Sequence, residues 1–541
     1  MFVRLKRVVY RGKLRHYVQL VKSARENGRV KQHVVASLGR LDDLKETGEL
    51  ERIIKGLLKH SDTLRVLKAH EDGAGRVVSD RVWGPVIVVE QLWKELGLFD
   101  LLRSLGEHKR FEFDFERAVF AIVLQRILIQ GSDRAGAKWI RTVHAEGFDR
   151  LHLPHFYRAL TYLWQKKEEI ELSLYERGKD LFNEGLDLAF FDTTSTYFEG
   201  KGWPGFTALG MSKDHRPDHP QLVIGVVMRR DGIPVSCEIW PGNTSDMSTL
   251  VPVIERLKGR FKIRKIVLVC DRGMVSKANL ERLTKTGYEY IVGMKMRRML
   301  EVRDHVLAKP GRFRVVKHNL HVKEVWVEDR RYVVCFNPER AEKDRRDRES
   351  IVEMLKKKLS SGGVGSLLNN RGYRRFLKAP KERASIDEEK VKEDATYDGK
   401  FVLRTTTTLP ATEVAEAYKH LNALERLWRE LKSVLEMRPI FHHRKKQNIT
   451  GHIFGSFLAL YLTCFLKAKF AAAKEKVEWG DMLRDLSALT AIHLEVNGEY
   501  YLMRPPLRGC AGRVLQIVGA RAPAVAERIK LDELPADAFQ V

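Results

Sequence analysis

The chain has 541 residues, more than a single ordinary core requires, so several domains or a core with large insertions are expected. Hydrophobic residues make up 44%, which argues against wholesale disorder. The formal charge of +26 favours a polyanionic partner, since each Lys or Arg set near a phosphate releases condensed counterions.

Residues 1–80 read as a small β domain followed by a charged helical linker. Phe2–Leu5, Tyr17–Val21 and His33–Leu38 alternate β-branched, aromatic and basic residues, as a half-exposed sheet requires. The first residues lack the apolar run of a signal peptide, and a cytoplasmic location is expected. Residues 81–185 read as helical. Val86–Trp93 and Phe115–Leu124 carry apolar side chains at three- and four-residue spacing, with basic residues between them. A helix of this region that enters DNA is one reading; an ordinary helical bundle is the other.

The pattern changes in 186–295. Leu188–Phe191 is a short apolar strand ending at Asp192. Gln221–Ile239 reads as two strands around a turn at Asp231–Gly232. A helix is predicted from about Met247 to Leu257. Lys265–Cys270 is another buried strand and ends at Asp271, and Tyr290–Gly293 follows. Residues 296–409 interrupt this α/β pattern with β-like segments, a charged helix from Glu339 to about Leu359 and a Gly-rich break. Residues 410–475 contain a long helix from about Ala411 to Leu435. They also contain the apolar stretch Ile453–Leu466, too short for a bilayer and read as a buried helix; no membrane association is expected. Residues 476–541 carry little functional signal.

Five cysteines are scattered without a C-x-x-C pair, consistent with free thiols in a reducing compartment. His442, His443 and His452 lack the Cys or carboxylate spacing that a zinc site would add.

Asp192 and Asp271 share one design: each closes a short apolar strand and opens a polar loop. At the carboxyl ends of neighbouring strands, two such groups can face one crevice. Their repulsion calls for a proton or a cation, and oxygen ligands suit Mg²⁺, with Mn²⁺ as substitute. Glu425, Trp428, Arg429 and Lys432 are spaced i, i+3, i+4 and i+7 and line one helical face. On spacing alone, an ordinary amphipathic surface helix with an internal Glu–Arg pair is the better reading. Downstream, Met437–Lys446 interleaves basic and aromatic residues, as phosphate contact and base stacking require.

Five ordered blocks carry a family resemblance: Phe191–Glu199, Gly210–Asp218, Pro241–Asp246, Asp271–Met274 and the run from Tyr418 to His442. The chain resembles a bacterial insertion-sequence transposase of the acidic-triad (DDE) type, in the IS4 superfamily and nearest its IS1634 group. The resemblance implies an RNase H-like catalytic core interrupted by a β-rich insertion domain, with N-terminal β and helical domains. It implies Asp192, Asp271 and Glu425 as metal-binding catalytic residues. It also implies two-metal phosphoryl transfer on DNA and a homodimer holding two element ends. The superfamily signature Y-x2-R-x3-E-x6-K is matched by Tyr418, Glu425 and Lys432, while Leu421 stands where the Arg is expected. Arg426 or Arg429 is a candidate replacement for that phosphate contact. Tyr418 and Lys432 are implied to grip DNA near the cleaved end, and Trp326 is the candidate aromatic for a flipped base. Asp246, Asp214, Asp218 and Glu199 are not expected to bind metal. Two other classes fit the acidic blocks or the charge: a nuclease without joining activity, and a non-catalytic DNA-binding derivative. A basic RNA-associated protein would explain the charge alone.

Overall fold

A computed structural model describes the chain except for residues 27–28, 59, 72, 130, 183–187, 262–266, 275, 286, 361–370, 379–384, 422–424, 426–427, 430–439, 441–444 and 536–541. The chain opens with three antiparallel strands, β1 (Phe2–Tyr10), β2 (Lys13–Glu26) and β3 (Arg29–Arg40). Short helices α1 (Leu41–Glu46), α2 (Glu49–Leu58) and α3 (Asp62–Glu71) follow. The strand β4 (Gly75–Val82) then leaves this module and pairs with a strand near the other end of the chain.

Six helices come next: α4 (Gly84–Glu95), α5 (Leu98–Lys109), α6 (Phe115–Leu128), α7 (Asp133–Trp139), α8 (Leu153–Gln165) and α9 (Lys167–Phe182). Asp114 caps α6 by accepting a hydrogen bond from the Arg117 amide at 3.0 Å. α6 is buried on every side, so it cannot lie in a DNA groove. Its basic residues are committed internally. Arg117 pairs with Glu116 and Glu90, and Arg126 donates to Asp133 at 2.9 Å and to Ser456 at 3.0 Å. The helix Lys446–Ala472 packs against α6 and α8. Its most apolar window is 94% buried, which makes it the central helix of the core. It comes so close to α8 that a Cβ at Gly451 would strike the Leu160 backbone.

A large mixed sheet forms the second layer. Its strands are β5 (Leu188–Tyr197), β6 (Gln221–Met228), β7 (Pro234–Pro241), β8 (Val267–Cys270), β9 (Glu289–Gly293), β10 (Arg314–Lys317), β11 (Leu320–Val327), β12 (Arg330–Phe336) and β15 (Lys400–Thr405). The short pair β13 (Leu377–Lys378) and β14 (Ser385–Ile386) stands apart. The order across the sheet is β10-β11-β12-β15-β9-β8-β5-β6-β7, with parallel pairing only between β5 and β8 and between β8 and β9. The β-like segments of 296–409 therefore extend the central sheet beyond β9. Alternating residues of β12 and β15 are buried on both faces, which rewards that extension. β5 also runs five residues past Asp192, because Thr193–Tyr197 continue the antiparallel ladder with β6.

Helices α10 (Asp246–Phe261) and α11 (Lys277–Lys285) cover one face of the sheet. The core helix and the helix Ala411–Lys419 cover the other. α12 (Pro338–Ser360) carries mostly charged residues at the periphery. Buried Glu171 on α9 ties the helical layer to β7 and α10. It accepts from Lys167 at 2.9 Å, from Ser236 at 3.1 Å and from the Cys237 amide at 3.0 Å, and it also pairs with Arg260. The five cysteines are free thiols.

A four-stranded sheet, β18 (Ala526–Ile529), β17 (Glu499–Met503), β16 (Thr490–Val496) and β4, closes the chain against the helical layer. At its junction the rings of His144 and His493 lie 5.2 Å apart, and Ser79 shares a 2.9 Å hydrogen bond with His493 Nδ1. Burial holds both imidazoles down at about 4, and nearby Arg81 adds to the effect. Folded, both rings stay neutral where an unfolded chain would protonate near pH 6.5. The unfolded state therefore gains protons first, and stability falls as pH drops from about 6.5 to about 4. Urea unfolding of the double variant His144→Gln/His493→Gln should show a flatter stability curve than wild type across that window. Parallel curves would remove these histidines as its cause.

Candidate functional site

The acidic pair follows from the sheet register. β5 and β8 run parallel, with Phe191 opposite Cys270 as the last pair. Asp192 and Asp271 are the next residue on each chain, so they hold equivalent positions on adjacent strands. Paired residues of parallel strands point to the same face. Two residues earlier, Phe190 and Val269 lie in the core beneath the Ala411–Lys419 helix. Asp192 and Asp271 therefore face that helix side, as strand-end carboxylates in that sequence context should.

Two hydrogen-bond donors reach the pair from the segment that the sequence singles out. The Tyr418 hydroxyl donates to Asp271 Oδ1 at 3.0 Å, and the Trp428 indole N–H donates to Asp192 Oδ2 at 3.1 Å. Tyr418 stacks on Phe401 at 5.8 Å, and Trp428 is buried in the main core. Burial, and then the Asp271 carboxylate, push the Tyr418 phenol well above its ordinary range, so it remains a donor. Burial also lifts Asp192 above the usual carboxylate range. Lys213, the Thr193 amide and the Trp428 indole oppose that rise, and Asp271 adds to it.

A second polar cluster braces β5 from the opposite face. Thr193 donates to Asp246 Oδ1 at 2.6 Å, and Lys213 Nζ donates to Thr193 Oγ1 at 2.9 Å and lies 3.1 Å from Asp246 Oδ2. The Lys213 amide donates to Ser195 at 2.8 Å. Asp246 thus serves the strand through Thr193 and Lys213. Asp218 is drawn to Arg216 and His219.

Glu425 is helical and exposed, one turn before Trp428. Among the described residues, no three His, Cys, Asp or Glu side chains are grouped closely enough to hold a metal ion. Arg429 is exposed, while Arg426, Lys432, His442 and His443 lie outside the described residues. His452 is buried against Arg126 and Asp133. Trp326 is 50% exposed on β11. The register row Trp326–Arg331–Thr405–Ile291–Val269 puts it on the same face as the acidic pair. Four strand spacings separate it from β8, roughly 19 Å.

Two contributors carry little sequence signal. The Trp428–Asp192 bond is foreshadowed only by the i, i+3 spacing from Glu425. Gly293, the last residue of β9, sits under Tyr418, and a Cβ there would collide with its hydroxyl.

Residues 186–462, which are 277 of the 541, match the model of the transposase DDE domain, and residues 3–70 match that of the IS1634 family transposase N-terminal domain. A match over half the chain defines the class: a DDE transposase, a DNA-cleaving and DNA-transferring enzyme in general terms. With its N-terminal module, the chain belongs to the IS1634 group of insertion-sequence transposases. Among solved structures, it is similar to the piggyBac transposase synaptic complex with hairpin DNA. That similarity has 10% identity and a TM-score of 0.34, and it covers 75% of this chain and 79% of that one. No curated protein matches it.

Tyr418→Phe keeps the ring on Phe401 and deletes one hydrogen bond to a carboxylate, a contribution of about 1.5–3 kcal/mol. DNA cutting should fall roughly ten- to hundredfold, while the melting temperature falls by no more than about a few degrees in a chain of this size. Full cutting activity would detach Tyr418 from the work of the pair.

Proposed function

We propose that this protein cleaves the ends of its insertion sequence and joins them to target DNA, with Asp192, Asp271 and Glu425 as its acidic triad. The observation that carries the reading is the equivalent register of Asp192 and Asp271, on one face of parallel strands inside the matched DDE region. The strand order β7-β6-β5-β8-β9 supports an RNase H-like core, its first three strands antiparallel and its next two parallel. In that core the two Asp residues follow the first strand's parallel segment and the fourth strand.

The donor set fits a hard divalent cation. Both groups are carboxylates, they lie adjacent, and Asp271 is exposed. Asp192 and Asp271 would hold Mg²⁺ or Mn²⁺, and Glu425 would join them from the segment whose Trp428 already touches Asp192. Divalent cations bound there supply Lewis-acid activation of a water or a DNA 3′-hydroxyl and neutralise charge on the leaving oxygen. The chain's own part is positioning. Tyr418 and Trp428 each fix one oxygen of a carboxylate, so the pair is oriented before DNA arrives. Arg426, Arg429 and Lys432 bring positive charge to the same segment for the phosphates. Trp326, on the same sheet face, is the candidate to hold an unpaired base. Two protomers would bring two element ends together.

The test uses purified protein, Mg²⁺ or Mn²⁺, labelled DNA carrying the gene's flanking repeats and a target plasmid. Wild type should cut at the repeat boundary and yield joined products. Asp192→Asn and Glu425→Gln should lower both by at least about a thousandfold, as loss of a group central to charge stabilisation does. Cutting without joining would make the protein a nuclease. Activity in either variant at the wild-type level would refute the triad.

A further inference from the structure

The first 40 residues hold eleven Arg or Lys against one acid, Glu26. They therefore carry +10 of the chain's +26 in a small fraction of its length. Elsewhere many buried cations are neutralised by acids: Arg117 by Glu90 and Glu116, Arg126 by Asp133, Arg260 by Glu171 and Arg348 by Asp398. The N-terminal sheet has no comparable supply of acids. Arg7 and Lys13 have no acidic partner among the described residues, and Arg15 lies over the Tyr10 ring at 4.6 Å.

The strands are also unequal in length. β1 pairs with β2 from Phe2–Val21 to Tyr10–Lys13, whereas β3 joins β2 only from Tyr17 onward. Residues 7–16 are thus a two-stranded ribbon that extends past the third strand. Arg11 and Gly12, both at positive φ, close it as a tight two-residue turn. No residue from Arg7 to His16 is buried. Side chains alternate between its faces. Tyr10, Lys13 and Arg15 lie on one, and Arg7, Val9 and Leu14 lie on the other. Val9 and Leu14 are opposite one another and remain 70% and 55% exposed.

We infer that this ribbon is a duplex-DNA-binding arm that enters the major groove. The B-form major groove is about 12 Å wide and admits a two-stranded ribbon, whose strands lie about 4.8 Å apart. The cations meet phosphates on the groove walls. The exposed Val9–Leu14 pair meets the groove floor, where thymine methyl groups offer apolar contact. The helical layer is a poorer source of such an arm, since its α6 is buried on every side. The inference takes from the proposed function only that the nucleic acid is DNA.

The experiment measures binding of the full-length protein to a labelled 30-base-pair duplex by fluorescence anisotropy across a KCl series. The metal-free condition keeps binding separate from cutting. Arg7→Ala/Lys13→Ala/Arg15→Ala should weaken binding at least about tenfold and flatten the salt slope by about one unit per cation removed. Arg7→Lys/Arg15→Lys, which keeps the charge, should retain most of the affinity and guards against a folding defect. Lys343→Ala/Lys356→Ala/Lys357→Ala removes the same charge from exposed positions of α12 and should leave the slope near wild type. Duplex RNA should bind more weakly than DNA, because its deep, narrow major groove excludes a ribbon. The inference is overturned by a ribbon variant with wild-type affinity and slope, by an equal loss in the α12 variant, or by a preference for duplex RNA. A protein that fails to cut DNA but loses binding on ribbon substitution would refute the proposed activity and leave the arm standing.

Discussion

Two carboxylates can be held side by side only if something else fixes the strands that carry them. Here that constraint is the register of β5 on β8, and it is set from below by apolar side chains. A one-residue slip would turn either Asp to the opposite face. The slip is resisted because Phe190 and Val269 fill one core while Phe191 and Cys270 fill another. Gly225 contributes from the neighbouring strand. It pairs with Thr193, and a Cβ at that position would strike the Phe191 and Trp240 rings. The energy that holds the acidic pair together therefore comes from burial of its neighbours on both faces. The pair itself opposes folding, as the raised Asp192 shows.

The pair then depends on groups that come from far along the chain. Tyr418 and Trp428 bring an O–H and an N–H from beyond the strands of 296–409, and both are large side chains anchored by packing. Tyr418 rests on Phe401, and Trp428 sits in the core shared with the helix Lys446–Ala472. This explains how an extended central sheet serves the site. β15 pairs directly with β9 and carries Phe401, so the strands added beyond β9 form the floor on which Tyr418 lies. Gly293 completes the arrangement by leaving room for the phenol.

Much of this was legible in the amino-acid sequence wherever the signal was local. The hairpin around Asp231–Gly232, the strand before Asp271 and the helix beginning near Ala411 all follow from patterns of a few residues. Asp192 shows where local reading stops. Thr193–Thr196 look like a polar loop, yet their backbone completes the ladder with β6 and their side chains are buried. Thr193 is kept there by Asp246 and Lys213, both distant in sequence. The same limit hid β4, whose partner β16 lies some four hundred residues away. It also hid the joining of β12 to β15 and of β15 to β9, since a strand pattern does not name its partner. The α6 segment left two readings open, a helix that enters DNA and an ordinary bundle helix, because a local pattern does not say what its charged residues pair with. Glu116, Arg117 and Arg126 are buried and satisfy partners on neighbouring helices.

That last point bears on how a basic protein handles DNA. A net charge is a sum and says nothing of where the charge can be used. In the helical layer and along α9, α10 and β7, cations are locked into networks with buried acids, where removing one partner would strand the other. Those cations hold the fold and are poorly placed to trade partners for phosphate. Cations without acidic neighbours, on exposed backbone, keep their hydration until a polyanion displaces it, and they gain most from counterion release. Among the described residues, the ribbon of residues 7–16 has that character, whereas the acidic pair is braced by neutral O–H and N–H donors. A DNA strand brought to the pair would meet carboxylates that still need a cation. On the proposed triad and arm, attraction for the duplex would lie in one module and the demand for metal in another, so neither would have to be weakened to serve the other.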